Sequence, residues 1–207
     1  MRAAFFLLML AMALPAESAQ ERSWNFRVFL DGREVGHHDF TLSTTGAETL
    51  LRSEAHFQVR FLFIDAYRYT HRAEERWRDG CLVSLASSTD TNGTREGVSA
   101  RARGSRLAVE RAAGREEHEG CVMSFAYWNP KILSAPRLLN AQTGELTAVQ
   151  AATLGPETLI VRGRPTAVLR HRLTAPGLAI DLWYDGGEWV ALESNVAGGR
   201  RLRYELI

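Results

Sequence analysis

The sequence has little lysine, little cysteine and no long apolar run beyond its first residues, and each shortage excludes a class of protein. Lys131 is the only lysine, and 25 basic against 24 acidic residues leave a net charge of +1. This balance argues against nucleic acid as a partner, because the neutralisation of phosphates requires a basic face. The apolar run 3–14 is shorter than the ~20 residues of a membrane-spanning helix. We therefore do not expect an integral membrane protein.

Motifs of the common enzyme classes are also missing. The sequence contains no G-x-S-x-G turn, no phosphate-binding glycine loop and no dinucleotide fingerprint. Its histidines are scattered or adjacent, as at His37 and His38, and none has the spacing of a metal site. We expect no cofactor and no metal, and the sequence favours a protein that is not an enzyme. An active site assembled from distant residues, such as Asp65, His71 and His171, remains open.

The first residues have the pattern of a secretory signal peptide. Met1 and Arg2 form a basic start, residues 3–14 are apolar, and Pro15 and small residues follow as far as Ala19. We expect cleavage after Ser18 or Ala19, with an uncleaved membrane anchor as the alternative. The pattern predicts a periplasmic protein in which residues 20–207 form a single domain, which we expect to be a monomer.

The two cysteines, Cys81 and Cys121, are predicted to form a disulfide. Each follows a glycine and precedes a strand-like segment, and export places both in an oxidising compartment. Closing a loop of this length would stabilise the fold by about 4 kcal/mol in the chain-entropy model.

Alternation of apolar and polar residues dominates the rest of the chain. It is clear at Trp24–Val28 and Ala167–Leu173, and glycine-centred turns such as Asp31-Gly32 and Asn92-Gly93 separate the runs. The pattern predicts an all-β, mainly antiparallel fold: a strongly curved meander, clam or incomplete barrel of about ten or eleven strands. We expect one short helix within Pro130–Asn140, and a hairpin in the charged stretch Arg95–Glu119.

Two segments are candidates for a binding site. Phe57–Tyr69, with the sequence FQVRFLFIDAYRY, is apolar on both faces if it is one strand. It could be a central strand that bends at Asp65, or the wall of a cavity. Ser124–Pro130, SFAYWNP, could be a corner of the sheet or a ligand-lining plug. The candidate lining residues are Phe57, Phe61, Phe63, Tyr67, Tyr127, Trp128 and Trp183, with Asp65 and Asn129 as polar contacts.

Three motifs occur in order along the chain. They are YWNP after the Gly-Cys turn, LLNAQTGEL at Leu138–Leu146, and WYDGGEWVALES at Trp183–Ser194. In these motifs the sequence resembles a family of exported proteobacterial proteins that share a domain of unknown function. The resemblance implies neither an activity nor catalytic residues. At the level of the fold, a meander with a short internal helix is similar to the curved sheets of the periplasmic lipoprotein carriers LolA and LolB.

Export, aromatic residues on strands and the missing catalytic motifs point to one leading hypothesis. We expect non-enzymatic binding of a lipid-like or other hydrophobic ligand, or of a lipidated partner, in an apolar cavity. The alternatives are an enzyme that acts on an envelope lipid or glycan, and a structural or assembly protein of the cell envelope.

Overall fold

The computed structural model, which describes residues 20–61 and 64–207, consists almost entirely of β-strands. Thirteen of them form one antiparallel sheet and three short ones form another. The first eight strands of the large sheet are β1 (Gln20–Leu30), β2 (Arg33–Thr45), β3 (Glu48–Phe61), β4 (Ile64–Arg78), β5 (Cys81–Thr91), β6 (Thr94–Arg103), β7 (Arg106–Arg111) and β8 (Gly114–Glu119).

The chain then builds the small sheet and returns to the large one. The small sheet contains β9 (Met123–Ser124), β10 (Arg137–Leu139) and β11 (Leu146–Ala148). The remaining strands of the large sheet are β12 (Gln150–Val161), β13 (Arg164–Ala175), β14 (Leu178–Asp185), β15 (Glu188–Val196) and β16 (Arg200–Leu206). The helical elements in the described part of the chain are two 3-10 turns, Pro130–Ser134 and Ala197–Gly199, and no helix there is long and apolar enough to cross a bilayer.

Period-two patterning explains the strands. In β1, Trp24, Phe26 and Val28 are buried and the residues between them are exposed, so one face of the strand lies in the core. Tight turns join such strands: Asp31 and Gly32, between β1 and β2, both have positive φ, 51° and 78°. That is the geometry of a type I′ hairpin turn, which Asp-Gly favours.

The large sheet has two open edges, and its two halves, β1–β8 and β12–β16, join where β1 pairs with β16. Its spatial order is β12-β13-β14-β15-β16-β1-β2-β3-β4-β5-β6-β7-β8. β1 pairs with β2 on one side and with β16 on the other, with Phe26 opposite Leu206. Among the described residues, β12 and β8 have no outer neighbour, so the barrel is incomplete. The predicted all-β antiparallel class is confirmed.

Residues 121–149 lie against the apolar face of the large sheet and contact both of its halves. Ser124 Oγ donates to Glu75 Oε2 on β4 at 2.9 Å, and the carbonyl of Tyr127 accepts from Tyr184 Oη on β14 at 2.8 Å. The sheet is strongly curved: the ring centroids of Phe40 on β2 and Trp189 on β15 are 5.2 Å apart, although these strands are three places apart in the sheet and would be roughly 14 Å apart if it were flat. The sheet therefore coils around this segment, which we call the inner segment.

The inner segment occupies space that the sequence led us to expect as a central hollow. Its residues Ile132, Leu138 and Leu139 have no exposed surface and belong to the same hydrophobic cluster as the buried residues of the large sheet. The inner segment therefore packs into the core of the curved sheet.

The predicted disulfide is present and ties the start of β5 to the residue that opens the inner segment. Cys81 and Cys121 have Cα atoms 5.1 Å apart and enclose a loop with a sequence separation of 40. The bond joins the base of β5 to the end of the β6–β8 meander, the charged region in which a single hairpin was predicted.

Three details differ from the sequence prediction. The large sheet alone has thirteen strands, because the charged stretch forms β6, β7 and β8. Phe57–Tyr69 is not one strand: β3 and β4 pair up to Phe61 and Ile64, without the glycine or proline that usually marks such a boundary. Of the expected helix only Pro130–Ser134 is helical, and Pro136 precedes a strand instead.

Candidate ligand-binding site

A cleft of about 700 Å³ lies at one end of the curved sheet, where β1, β2, the paired ends of β3 and β4, and β16 come together. This volume is within the range of small-molecule sites. Its lining residues are Leu30, Arg33, Glu34, Val35, Gly36, Gln58, Val59, Ala66 and Arg200. We call it the rim cleft.

The floor of the rim cleft is apolar. Leu30 and Val35 are buried, and Val59 is half-buried against the main hydrophobic cluster. Gly36, beside them, has a φ of +149°, and a Cβ there would lie 1.8 Å from the carbonyl oxygen of His56. Only glycine allows this approach of β2 to β3, so the closeness of the two strands under the cleft depends on it.

Aromatic rings continue the apolar surface inward from the rim cleft. Phe57 is directly opposite Gly36 in the β2–β3 pairing. Its ring stacks on that of Tyr69 at 5.2 Å, and Tyr69 is in turn parallel to Tyr67 at 6.4 Å. We call these three rings the aromatic ladder. Tyr67 remains 37% exposed, so the ladder begins at the surface and ends beside the inner segment, where Tyr69 Oη donates to Gln142 Oε1.

Two histidines near the ladder are held neutral. His38 stacks on Phe40 at 4.0 Å, and its Nδ1 lies 3.2 Å from Tyr204 Oη. Desolvation lowers the pKa of His38 to about 3, and also lowers the pKa of His71, whose Nδ1 is 2.9 Å from Thr89 Oγ1. Nε2 of His38 is shielded from solvent and has no hydrogen-bond partner among the residues that the structure describes. The inner end of the site is therefore polar in places but uncharged.

Buried tyrosines extend this uncharged surface. Burial raises the pKa of Tyr69, of Tyr127 and of Tyr204 above the ordinary value, so all three are protonated at neutral pH. The ring of Tyr127, from the inner segment, packs on Trp189 at 5.3 Å.

A buried carboxylate lies deeper under the inner segment. Glu75 is 4% exposed, and its Oε2 accepts from Ser124 Oγ and from Trp77 Nε1 at 2.9 and 3.0 Å. Burial raises the pKa of Glu75 to about 7, against the opposing effect of these two hydrogen bonds. Glu75 therefore changes charge near neutral pH at a point that holds the inner segment to the sheet.

Paired charges cover the outer face of β2–β5. A depression of about 590 Å³ there is lined by Arg52, Glu54, Arg72 and Glu74 among others. Arg52 binds Glu74 at 3.1 Å and Arg72 binds Glu54 at 2.6 Å, so these side chains already satisfy one another. Within residues 20–61 and 64–207, no group of three His, Cys, Asp or Glu residues could hold a metal ion. The absence of a metal remains a prediction.

Comparison with known proteins places the chain in a family. The family model described as a domain of unknown function, DUF6134, matches residues 26–207. The chain belongs to this family. The predicted resemblance to a family that shares a domain of unknown function is confirmed at this level. No curated protein matches the sequence significantly.

A solved structure shares the fold. It is the crystal structure of a beta-barrel-like protein of domain of unknown function DUF1849 from Brucella abortus, with a TM-score of 0.65 and 9% identity. The match covers 89% of this chain and 94% of that one. At this identity the likeness concerns the fold alone.

The DUF6134 match includes the rim cleft, the aromatic ladder and the inner segment. Of the predicted lining residues, Phe57 and Tyr67 lie together in the ladder, and Tyr127, in the inner segment, packs on Trp189 of β15. At the paired ends of β3 and β4, Phe61 is opposite Ile64 and Asp65 is opposite Arg60. Phe63 lies outside the described residues.

The other three predicted residues of this DUF6134 chain are elsewhere. Trp128 is edge-on to Trp77 at 5.6 Å, and Asn129 caps the 3-10 turn by accepting from the backbone N–H of Lys131. Trp183 donates from Nε1 to Glu157 at 2.9 Å. None of the three lines the rim cleft.

Trp183 belongs to an ion network on β12–β14. Arg170 lies over its ring at 5.1 Å, and both Arg170 and Arg172 donate to Asp181 at 2.6 Å. Burial alone would raise the pKa of Asp181, but hydrogen bonds from Arg172 and Arg170 hold it below the ordinary value. This network is internally neutralised, and it fixes the register of these strands.

Sequence reasoning missed His38, Tyr69 and Gly36. The signal for His38 was present: it has the same parity as Phe40 and Leu42 on β2, so alternation points its side chain inward. Tyr69 was placed with Tyr67 beside Asp65 but was not included among the candidate lining residues. Gly36 had no local signal, because its role depends on the carbonyl of another strand.

Proposed function

We propose that this protein is a non-enzymatic binding protein that holds a hydrophobic ligand in the rim cleft. One observation carries the proposal: Val59, in the apolar floor of the cleft, is directly opposite Tyr67, the exposed end of the aromatic ladder, in the β3–β4 pairing. Stacked rings and buried aliphatic side chains offer an apolar ligand a surface without charge, and apolar contact is what most small-ligand sites supply. Because the inner segment fills the centre of the curved sheet, the proposed ligand lies in the rim cleft and not in a central cavity.

We propose further that the protein acts outside the cytoplasm, in the periplasm. The signal-peptide pattern of residues 1–19 supports this location. The Cys81–Cys121 disulfide supports it as well, because such bonds persist in oxidising compartments. A hydrophobic ligand in that compartment would be lipid-like.

The proposal is tested by native mass spectrometry of protein taken from its own periplasm, together with thermal melting against a panel of fatty acids and phospholipids. We expect a co-purified ligand, or a rise in melting temperature with at least one member of the panel. Val59→Trp, which fills the cleft, should abolish the effect. Ile160→Trp, on the 66% exposed side chain of Ile160 in β12, is the matched control and should leave it intact. If no ligand co-purifies and no lipid raises the melting temperature, the protein is not a lipid-binding protein.

A second candidate function, an assembly partner in the envelope, is supported by the open edge of the large sheet. β12 has twelve residues and exposes Leu154 and Ile160, 48% and 66% accessible. Long edge strands with exposed apolar residues pair readily with other chains. A photo-crosslinking residue at Thr158 in β12 should then capture a defined partner in cells, whereas one at Ser99, in an interior strand, should not. Equal labelling at both positions would refute this function.

An enzyme acting on an envelope lipid or glycan has weaker support. His71 and His171 each contact a threonine hydroxyl, Thr89 and Thr153, rather than a carboxylate. A general base is normally oriented by a carboxylate or an equivalent third group. The two pairs lie on different strands, and neither histidine lines the rim cleft.

A further inference from the structure

The charges around the rim cleft are not balanced. Arg200 donates to Asp31 at 2.8 Å, and Arg27 lies 3.8 Å from Glu34. Arg33, which lines the same cleft and is exposed, forms no ion pair or side-chain hydrogen bond within the part of the chain that the structure describes. Among the side chains that the structure describes, no carboxylate therefore neutralises the charge of Arg33 at the rim.

The floor of the rim cleft carries no charge. Leu30, Val35 and Val59 are apolar, and the charged side chains that line the cleft belong to Arg33, Glu34 and Arg200. A charged group would lose its hydration there without gaining an opposite charge. A ligand that is apolar at one end and charged at the other can therefore enter in one direction only, with its charge at the rim.

From these two observations, and resting on the proposed function above, we propose that the rim cleft binds a single-chain anionic amphiphile. Its carboxylate lies beside the Arg33 guanidinium, and its hydrocarbon chain lies over Leu30, Val35 and Val59 toward Phe57. The volume of about 700 Å³ matches one small ligand. Arginine suits a carboxylate because its planar guanidinium can donate two parallel hydrogen bonds.

The experiment measures binding by isothermal titration calorimetry with two probes that share a tail: dodecanoate and dodecyltrimethylammonium, both below their micellar concentrations. We expect dodecanoate to bind more tightly, and its affinity to fall as salt is raised. Arg33→Gln should weaken dodecanoate binding about fivefold, as expected for one partly exposed ion pair. Arg33→Lys should recover part of the loss. Arg103→Gln is the control, because Arg103 is also exposed beside a hairpin turn but lies on β6.

The outcomes separate this inference from the function on which it rests. Equal affinity for the two probes, with no effect of Arg33→Gln, overturns the inference, while loss of binding in Val59→Trp would still support a hydrophobic-ligand site. If neither probe binds the wild-type protein, or if Val59→Trp binds both as well as the wild type does, the proposed function and the inference fail together.

Discussion

Neutralising Glu75 should make the protein more stable above neutral pH. Its cross-strand neighbours, Leu51 and Leu85, are apolar and buried, and burial raises its pKa from 4.5 to about 7. The native state therefore binds the proton more tightly than the unfolded chain. The contribution of Glu75 to the free energy of unfolding is therefore fully present below pH 4.5, and it is lost as the pH rises through 7. At about 1.4 kcal/mol per pKa unit, the loss is about 3 kcal/mol.

The assay is urea unfolding of the wild type and of Glu75→Gln at several pH values between 4.5 and 8. Glutamine keeps an oxygen that can accept from Ser124 Oγ and Trp77 Nε1, but it does not ionise. We expect the free energy of unfolding of the wild type, relative to the variant, to fall by about 3 kcal/mol across this range. Histidines affect both proteins equally and cancel in the difference. Parallel pH profiles for the two proteins would refute the assigned burial of a titrating carboxyl group.

Three further predictions concern stability. His38→Gln should reduce the acid sensitivity of the fold. The pKa of His38 is lowered to about 3 in the folded protein, so the wild type loses stability as the pH falls below 6.5. Urea unfolding should show a loss on the order of 2 kcal/mol at pH 4.5. Gly36→Ala should lower stability by more than about 2 kcal/mol in a thermal melt. Gly177 also has a positive φ but has open space around it, so Gly177→Ala should lower stability by only about 1 kcal/mol. Equal effects of the two substitutions would contradict the close approach at Gly36. Replacing Cys81 and Cys121 by serine should reduce the free energy of unfolding by about 4 kcal/mol, and an unchanged urea midpoint would contradict this.

The strands and their turns could be predicted because their signals are local. Alternation in β1 and the Asp31-Gly32 turn are visible in a few residues, and so are the glycine-cysteine pairs that mark the disulfide. The boundary between β3 and β4 was missed for the same reason: the sequence from Phe57 to Tyr69 contains no glycine, proline or asparagine. Pairing across the sheet, rather than a turn signal, separates these two strands.

The candidate site could be predicted only in part. Phe57 and Tyr67 were identified because aromatic residues on strands stand out in a sequence. The role of Trp128 could not be foreseen, because its contact with Trp77 joins the inner segment to β4. The inner segment itself is apolar enough to be recognised as buried, but its position depends on contacts with strands of both halves of the sheet, and no local pattern encodes these.

The pairing of β1 with β16 constrains the order in which the molecule can be assembled. β1 is the first strand of the described chain to be synthesised, yet one of its two partners, β16, is the last strand of the large sheet. Until β16 arrives, β1 and β15 each present an unsatisfied edge, so the junction between the two halves of the sheet forms last. A ribosome that stops short of Arg200 would release a chain that cannot join its two halves, and quality-control proteases would find both exposed edges.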